Sequence, residues 1–434
     1  MDRSFINWND SIKDTNSPSR KDYVRPALII LVLAGSVYFF RVNFLTKDII
    51  YIAQFFVIGL MGTVILFQAI YWKYELYRRN FISPIFLIFL GVFLSMITAY
   101  AFHSQSFVIS FWAQRFTYFY LFYFVLHIIQ VPIQTLEKIL FFAGVVYAFV
   151  FFVQYLAFPK VIFTVRQGIE RGTVRIFIPG MAFMHLAYFM GLTRVIFFNK
   201  FKYVPYLLLF LGIYILTGTR STIAGPTIIT ILILIFSNKI RSRGVILILI
   251  ILLLGAAYYM FQDIIENLIT LSVEQKETAE ENIRVRATRF FMTDFFPNNF
   301  AYITGNGEGH QASPFGKEIF SYKILYGYYQ SDIGLIGEYI KFGVFFLLGA
   351  FMILYKGIFQ SVDTNHKYVR YFFLLLLISM PLSANFTSPD SIVAICIMAY
   401  ILDYLKNNKK EKKKEKKPLV YFPELEYRKQ SFIK

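Results

Sequence analysis

Long apolar blocks separated by short polar connections make up most of the chain. The block at 245–260 (VILILIILLLGAAYYM) has no polar face, and a helix that is apolar all round suits the hydrocarbon of a lipid bilayer. Crossing that hydrocarbon takes about 17–25 apolar residues. The pattern predicts an all-α integral membrane protein with about twelve transmembrane helices, at 24–40, 49–72, 82–102, 106–129, 137–157, 177–198, 202–217, 221–237, 243–261, 331–355, 369–386 and 388–404.

Composition excludes a soluble multidomain protein. Hydrophobic residues make up 57% of the 434 residues and charged residues only 16%, whereas soluble domains carry about 25% charged residues. No small-residue cleavage site follows the first apolar block, so we expect a retained first helix rather than a removed signal peptide. Cys396 is the only cysteine, which excludes an intramolecular disulfide.

Basic residues in the connections predict the orientation, because Lys and Arg near helix ends stay in the cytoplasm. The C-terminal tail, 405–434, contains eight lysines and two glutamates between positions 406 and 417, a net charge of +6. An even number of spans then places the N-terminal tail, 1–23, in the cytoplasm as well. Spans one to nine occupy 24–261, a long outer segment occupies 262–330, and spans ten to twelve occupy 331–404. This topology and anionic lipid headgroups account for much of the net charge of +18 without nucleic acid.

Arginines on the predicted outer side break the charge rule. They follow span five, link spans seven and eight, and recur in the long outer segment. The guanidinium group is planar and always charged, and it binds phosphate through two parallel hydrogen bonds. A further arginine inside span four is expected to face the protein interior with a partner. We therefore expect a bound diphosphate to be contacted by Arg166, Arg171, Arg175, Arg220, Arg284, Arg286, Arg289 and Arg115.

Each arginine group also has a structural interpretation. Arg220 lies in a link too short to leave the membrane boundary, where an arginine can simply extend to lipid headgroups. Arg286 and Arg289 share one face of a predicted helix, and a plain amphipathic helix lying on the membrane has the same pattern. The apolar face of that helix would carry Ile283, Ala287 and Phe290.

Four residues of the predicted outer side are candidate general bases for a sugar hydroxyl: His310, Glu308, Asp332 and Glu170. A neutral imidazole is suited to this task near pH 7, although a loop histidine also serves as an ordinary surface hydrogen-bonding residue. Asp332 also suits the cap of span ten. Glu338 and Lys341 of the same span are expected to pair with each other. No metal-binding, P-loop or Rossmann motif occurs, so we predict neither a metal site nor a cofactor.

Four segments together resemble the bacterial O-antigen polymerase and O-antigen ligase superfamily, which includes related capsule and exopolysaccharide polymerases. They are LTGTRSTIAG (Leu216–Gly225), IRVRATRFF (Ile283–Phe291), GNGEGH (Gly305–His310) and SDIGLIGEYIKFGVFFLLG (Ser331–Gly349). The likeness covers roughly spans six to ten. It implies a glycosyltransferase of the bacterial inner membrane that acts on an undecaprenyl-diphosphate-linked oligosaccharide at the outer face. Arg220, Arg284, Arg286 and Arg289 correspond by position to the family's diphosphate-binding set.

The resemblance also separates two activities. The ligase branch has a histidine near the start of the span after the large loop, where this chain has Tyr329-Gln330-Ser331-Asp332. This departure favours a polymerase, with membrane lipids and a chain-length regulator protein as further expected partners. A ligase that transfers glycan to a lipid acceptor stays open as an alternative. A flippase or transporter of lipid-linked oligosaccharides is the alternative from another class, and it would place its cations deep in a central cavity.

Overall fold

A computed structural model describes residues 20–42, 45–71, 79–163, 166–170, 173–236 and 283–415. The predicted ninth span, 243–261, and Arg171 lie outside the described residues, as do most of the N-terminal tail and the end of the C-terminal tail. The helices are α1 (Arg20–Ser36), α2 (Lys47–Tyr71), α3 (Ile82–His103), α4 (Phe107–Ala113), α5 (Leu121–Ile129), α6 (Ile133–Ala157), α7 (Met181–Phe198), α8 (Val204–Leu216), α9 (Arg220–Phe236), α10 (Ile283–Thr293), α11 (Asn299–Thr304), α12 (Pro314–Tyr326), α13 (Gly334–Phe359), α14 (Lys367–Ser379) and α15 (Pro389–Glu415).

Five segments of the described chain are helical, long and apolar enough to cross a membrane: Asp48–Ile70, Ile82–His103, Ile133–Ala157, Met181–Phe198 and Gln330–Phe359. Shorter apolar helices lie at Val24–Ser36, Arg115–Ile129, Phe201–Leu216 and Thr222–Phe236. The predominantly helical membrane class predicted from the apolar blocks is thus confirmed. The number of spans and their orientation stay predictions.

Two predicted spans differ from the helices observed, because one is interrupted and the other ends early. Span four is divided into α4, a 3-10 segment (Arg115–Tyr120) and α5. The division falls at Gln114, whose buried side-chain amide donates to Ser95 Oγ of α3 at 3.1 Å. Span eleven was expected to continue to residue 386, but its helix α14 ends at Ser379. Pro381 follows two residues later, and proline cannot supply the N–H that a helix interior needs.

A small β-hairpin departs from the purely helical prediction. Strands β1 (Arg166–Glu170) and β2 (Thr173–Phe177) pair antiparallel, with Arg166 opposite Phe177 and Gly168 opposite Arg175. The side chain of Gln154 ties the hairpin to the end of α6, because its amide donates to Gln167 Oε1 at 2.7 Å. The connection after span five is therefore ordered by strand pairing and by one polar side chain of the preceding helix.

Helices α3 and α13 pack closely through glycines. A Cβ at Gly91 of α3 would lie 2.7 Å from the backbone nitrogen of Phe346, and one at Gly349 of α13 would lie 2.6 Å from the carbonyl oxygen of Pro84. Small residues at such contacts let two membrane helices approach each other. Farther along, α13 is kinked at Gly343, which has a φ of 71° and a ψ of −166°. The kink separates the start of α13 from the longer remainder of the helix.

Candidate functional site

A cavity of about 340 Å³ lies where α10, the start of α13 and the α14–α15 connection meet. Arg284, Arg289 and Asp332 contribute charged side chains to its lining, and Thr288 contributes a hydroxyl. The opposing wall is apolar and includes Ile336, Pro381 and Leu382. We call the end of the bundle that holds this space the cavity end. Three of the residues singled out in the sequence, from two separate segments, therefore line one concave site.

Two of the three arginines of α10 line the cavity. Ala287 and Phe291 are buried, with exposures of 2% and 0%, and they lie one helical turn apart. Arg284 and Arg289 line the cavity and Arg286 does not, although all three side chains are exposed. The expected apolar face was wrong in part, because Ile283 is 43% exposed. Arg286, predicted to share a face with Arg289, is thus not a lining residue.

Charge in the cavity is only partly compensated. Within the described residues, the guanidinium groups of Arg286 and Arg289 form no hydrogen bond or ion pair. Asp332 is the carboxylate among the described lining residues, and its Oδ1 accepts a hydrogen bond from the Ser331 hydroxyl at 3.2 Å. Arg289, which lines the cavity without a protein partner among the described residues, suits an anionic ligand.

The apolar wall is fixed to α13 at two points. The backbone N–H of Leu335 donates to the carbonyl of Met380 at 2.9 Å. Oε1 of Glu338 accepts from the backbone N–H of Phe386 at 2.8 Å and from the Thr387 hydroxyl at 3.1 Å. The expected pairing of Glu338 with Lys341 is therefore wrong. Glu338 instead holds the segment that carries Pro381 and Leu382.

Arg220 begins helix α9, which runs antiparallel to α14. Gly225 lies against Leu375, since a Cβ there would be 2.6 Å from its Cδ1, and Thr230 and Tyr371 both contact neighbouring residues of α7. In one direction along the bundle, residue numbers therefore increase in α9 and decrease in α14. Extending this register by five residues places the backbone of Arg220 level with the end of α14.

The turn at 305–310 is a separate feature of the same end. Glu308 Oε2 lies 2.7 Å from Lys341 Nζ, so this carboxylate is already neutralised by α13. His310 Nδ1 accepts a hydrogen bond from the backbone N–H of Ala312 at 3.2 Å. The neutral ring therefore carries its proton on Nε2 and acts as a donor there. Burial and the charge of Arg115 lower the pKa of His310 below its usual 6.5, which favours this neutral form.

Arg115 is half-buried and lies over two aromatic rings, 4.4 Å from the ring centroid of Tyr51 and 4.2 Å from that of Phe116. Its Nε donates to Gln54 Oε1 at 3.4 Å, which supplies the interior partner expected from its place in a span. Arg115 does not line the cavity. Neither does Arg175, which belongs to the hairpin packed against α6, whereas the side chain of Arg166 lies outside what the structure describes. The predicted diphosphate-binding set is thus spread over several places.

One polar residue that organises this end was not singled out in the sequence. Gln105 is fully buried, its Nε2 donates to the carbonyl of Glu308 at 2.8 Å, and its Oε1 accepts from the backbone N–H of His310 at 3.1 Å and from the Ser313 hydroxyl at 2.6 Å. A glutamine in a short link between apolar segments gives little sequence signal, because its partners lie about 200 positions away.

The arrangement suits a phosphorylated amphiphile. Guanidinium groups bind phosphate oxygens, while the apolar wall accommodates a hydrocarbon chain. In the part of the chain that the structure describes, no cluster of three or more His, Cys, Asp or Glu residues could hold a metal ion. No protein-family model matches the chain, and a search of curated proteins finds no match either.

Proposed function

We propose that this protein is a membrane glycosyltransferase that polymerises oligosaccharides carried on a lipid diphosphate. The observation that carries the proposal is the cavity, in which Arg284 and Arg289 face an apolar wall and share the space with Asp332. A prenyl diphosphate has the same division, with an anionic head and an apolar tail. The resemblance to O-antigen polymerases supports undecaprenyl diphosphate as that carrier.

The reaction needs a base, an anion site and no additional energy source. The hydroxyl oxygen of the acceptor sugar attacks the anomeric carbon of the donor glycan, and the new glycosidic bond forms as the bond from that carbon to the diphosphate oxygen breaks. The proton of the hydroxyl passes to a base, and the electron pair of the broken bond leaves with the lipid diphosphate. Arginines that contact the leaving diphosphate stabilise its growing negative charge.

Asp332 is the base that this geometry favours. It is exposed at the cavity beside the two arginines, whereas Glu308 is held in an ion pair with Lys341. His310 has its Nδ1 occupied and offers a donor at Nε2, which suits a hydrogen bond to a sugar or phosphate oxygen rather than removal of a proton. Arg220 is included in the proposed anion site because its backbone, at the start of α9, lies level with the end of α14.

A reconstituted assay tests the proposal. The purified protein in lipid nanodiscs receives a lipid-diphosphate oligosaccharide, and the lengths of lipid-linked chains are measured. We expect elongation by the native protein. Asp332→Asn should lower kcat by about 10²–10⁴-fold, the usual contribution of a general base, with a smaller change in the donor KM. Arg220→Ala should abolish elongation while membrane insertion stays intact.

Asp363→Asn is the matched control, because this carboxylate lies at the other end of the bundle beside His366. It should elongate chains as the native protein does. Glycan found only on a different acceptor lipid would instead identify a ligase. Movement of the lipid between leaflets without any new glycosidic bond would overturn the enzyme proposal in favour of a carrier.

A further inference from the structure

Helix α11 lies in the groove between α3 and α13. The hydroxyl groups of Thr304 and Thr98 are 2.6 Å apart, which joins α11 to α3. On the other side, the carbonyl of Ile303 faces Gly343 so closely that any Cβ at that glycine would overlap it. Both neighbours are long apolar helices with the length and composition of membrane spans.

These contacts lie well inside the two spans. Thr98 precedes the end of α3 at His103 by five residues, about 8 Å along a helix. Gly343 follows the start of α13 at Gly334 by nine residues, about 14 Å along the axis. The 22 residues of α3 extend about 33 Å, close to the thickness of the hydrocarbon core. A bilayer spanned by α3 would therefore place residues 303 and 304 at the depth of its hydrocarbon.

The backbone of the turn that follows α11 is not helical, and its N–H groups at Asn306 and Gly307 are hydrogen-bonded to protein, as backbone at the depth of hydrocarbon must be. Asn306 N–H donates to the carbonyl of Ile340 at 2.9 Å, and Gly307 N–H donates to that of Lys341 at 2.8 Å. The kink at Gly343 leaves these two carbonyls available, since the helix pattern is broken just beyond them. Asn306 Oδ1 also lies 3.1 Å from His103 Nε2. Irregular backbone is tolerated in a membrane only when protein buries and satisfies it.

A surface helix of a soluble protein buries its large apolar side chains, whereas α11 exposes them. Ala301 and Thr304 face the protein, with exposures of 0% and 2%. Phe300 and Ile303 face outward, with exposures of 49% and 50%. The flanking spans expose apolar side chains as well, including Phe93 of α3 at 57%. The outward face of α11 continues their apolar surface.

We propose that residues 299–310 form a re-entrant element, in which α11 enters the membrane and rests Phe300 and Ile303 against lipid acyl chains. The returning turn then rises through Glu308 and His310 to the membrane boundary. This departs from the expectation that the whole of 262–330 lies outside the membrane. It does not depend on the proposed enzymatic activity.

Cysteine labelling tests the location, and the chain suits it because its single cysteine, Cys396, is fully buried. Ile303→Cys is compared with Gln311→Cys, an exposed position beyond the turn. Each variant in nanodiscs is treated with a charged maleimide and, separately, with an apolar maleimide that partitions into lipid. Labelling after denaturation confirms that each thiol is present, and chromatography confirms that each variant folds.

The expected result is that the charged reagent modifies position 311 at least tenfold faster than position 303, while the apolar reagent modifies position 303. Equal labelling of both positions by the charged reagent would show that α11 lies in water. Failure of both reagents at position 303 would show that protein covers it. Either of these outcomes overturns the proposal.

Discussion

The arginines described at the two ends of the helix bundle differ in whether a carboxylate of the protein pairs with them. At the end where α6 begins, Arg194 Nη2 lies 2.9 Å from Glu137 Oε2, and the Tyr368 hydroxyl donates to Oε1 of the same carboxylate at 2.9 Å. We call this the Glu137 end. At the cavity end, Arg286 and Arg289 have no such partner among the described residues. Helix α14 connects the two ends, since Tyr368 lies near its start and Pro381 just beyond its finish.

This difference separates structural from ligand-binding arginines better than position along the chain does. A guanidinium paired with a carboxylate of another helix holds those helices together, and its removal leaves a charge without a partner. Arg289 lines the cavity without such a partner among the described residues, so we expect its guanidinium to contribute little to the fold and to be open to a ligand. Mutations at the two ends should therefore affect different measurements.

The largest expected effect is on donor use in the double variant Arg284→Ala/Arg289→Ala. Each hydrogen bond to a charged group contributes about 1.5–3 kcal/mol, so losing two should lower kcat/KM for the lipid-diphosphate donor by about 10²–10⁴-fold. The single variant Arg289→Ala removes the lining guanidinium that has no protein partner among the described residues, and its midpoint of thermal unfolding should stay close to the native value. Chain elongation and thermal unfolding, measured on the same preparation, check both statements.

Arg194→Ala is the matched change at the Glu137 end. Its pair is partly exposed, at 20% and 13%, so we expect about 2 kcal/mol of lost stability rather than the larger penalty of a fully buried pair. Donor kcat/KM of the folded fraction should be unchanged. If the cavity variant unfolds early and Arg194→Ala loses donor affinity, the division between the two ends is wrong.

Backbone geometry gives the next largest effect, at the glycine that kinks α13. The φ and ψ of Gly343 belong to a region open almost only to glycine, and a Cβ there overlaps Ile303. Gly343→Ala should destabilise the protein by about 3 kcal/mol or more. Gly62→Ala in α2, where a Cβ meets nothing within 4 Å, should be neutral or slightly stabilising. Unfolding in detergent, followed by tryptophan fluorescence, distinguishes them, and equal stabilities would contradict the kink.

The sequence predicted the helical membrane class because apolar blocks report lipid-facing and buried surface together. It also singled out Arg284, Arg289 and Asp332, which the fold brings into one cavity. Periodicity within α10 could not separate Arg286 from its neighbours, since the buried face is set by contacts with distant elements. The same reason hid the pairing of Glu338 with Phe386 and Thr387, 48 and 49 residues away. Residues three positions apart share one face of a helix, and this rule predicted Lys341 as the partner of Glu338 instead.

The pairing of the turn at 305–307 with α13 was missed for a related reason. Glycines at 305, 307 and 309 indicate a tight backbone but do not indicate what that backbone contacts. Its partners are the carbonyls of Ile340 and Lys341, which the kink of α13 leaves available. A glycine inside an apolar span is common in membrane helices, so Gly343 alone did not signal the kink.

The smallest expected effect concerns His310 and the pH. Its lowered pKa means that the folded protein prefers the neutral ring, whose Nδ1 accepts from Ala312 N–H. Protonation would place a second donor against that N–H. Stability contributed by this bond is thus complete above pH 6.5, the usual pKa, and is lost as the pH falls through the lowered pKa of the folded protein. Activity that depends on the bond declines where the ring of the folded protein takes up its proton, below pH 6.5. One neutral hydrogen bond contributes about 0.5–1.5 kcal/mol, so the decline should be about two- to tenfold in elongation rate.

Two substitutions divide the roles of the His310 ring. Asn at this position places an amide oxygen near Nδ1 and offers nothing at Nε2, whereas Gln reaches the position of Nε2 with a donor. If the Nε2 donor contacts substrate, His310→Gln should keep more elongation activity than His310→Asn at pH 7.5. Both variants should lose the acidic decline between pH 6.5 and 5, because neither side chain titrates there. If the acidic decline of elongation activity persists in both variants, another group causes it, and the role of His310 in the turn is structural.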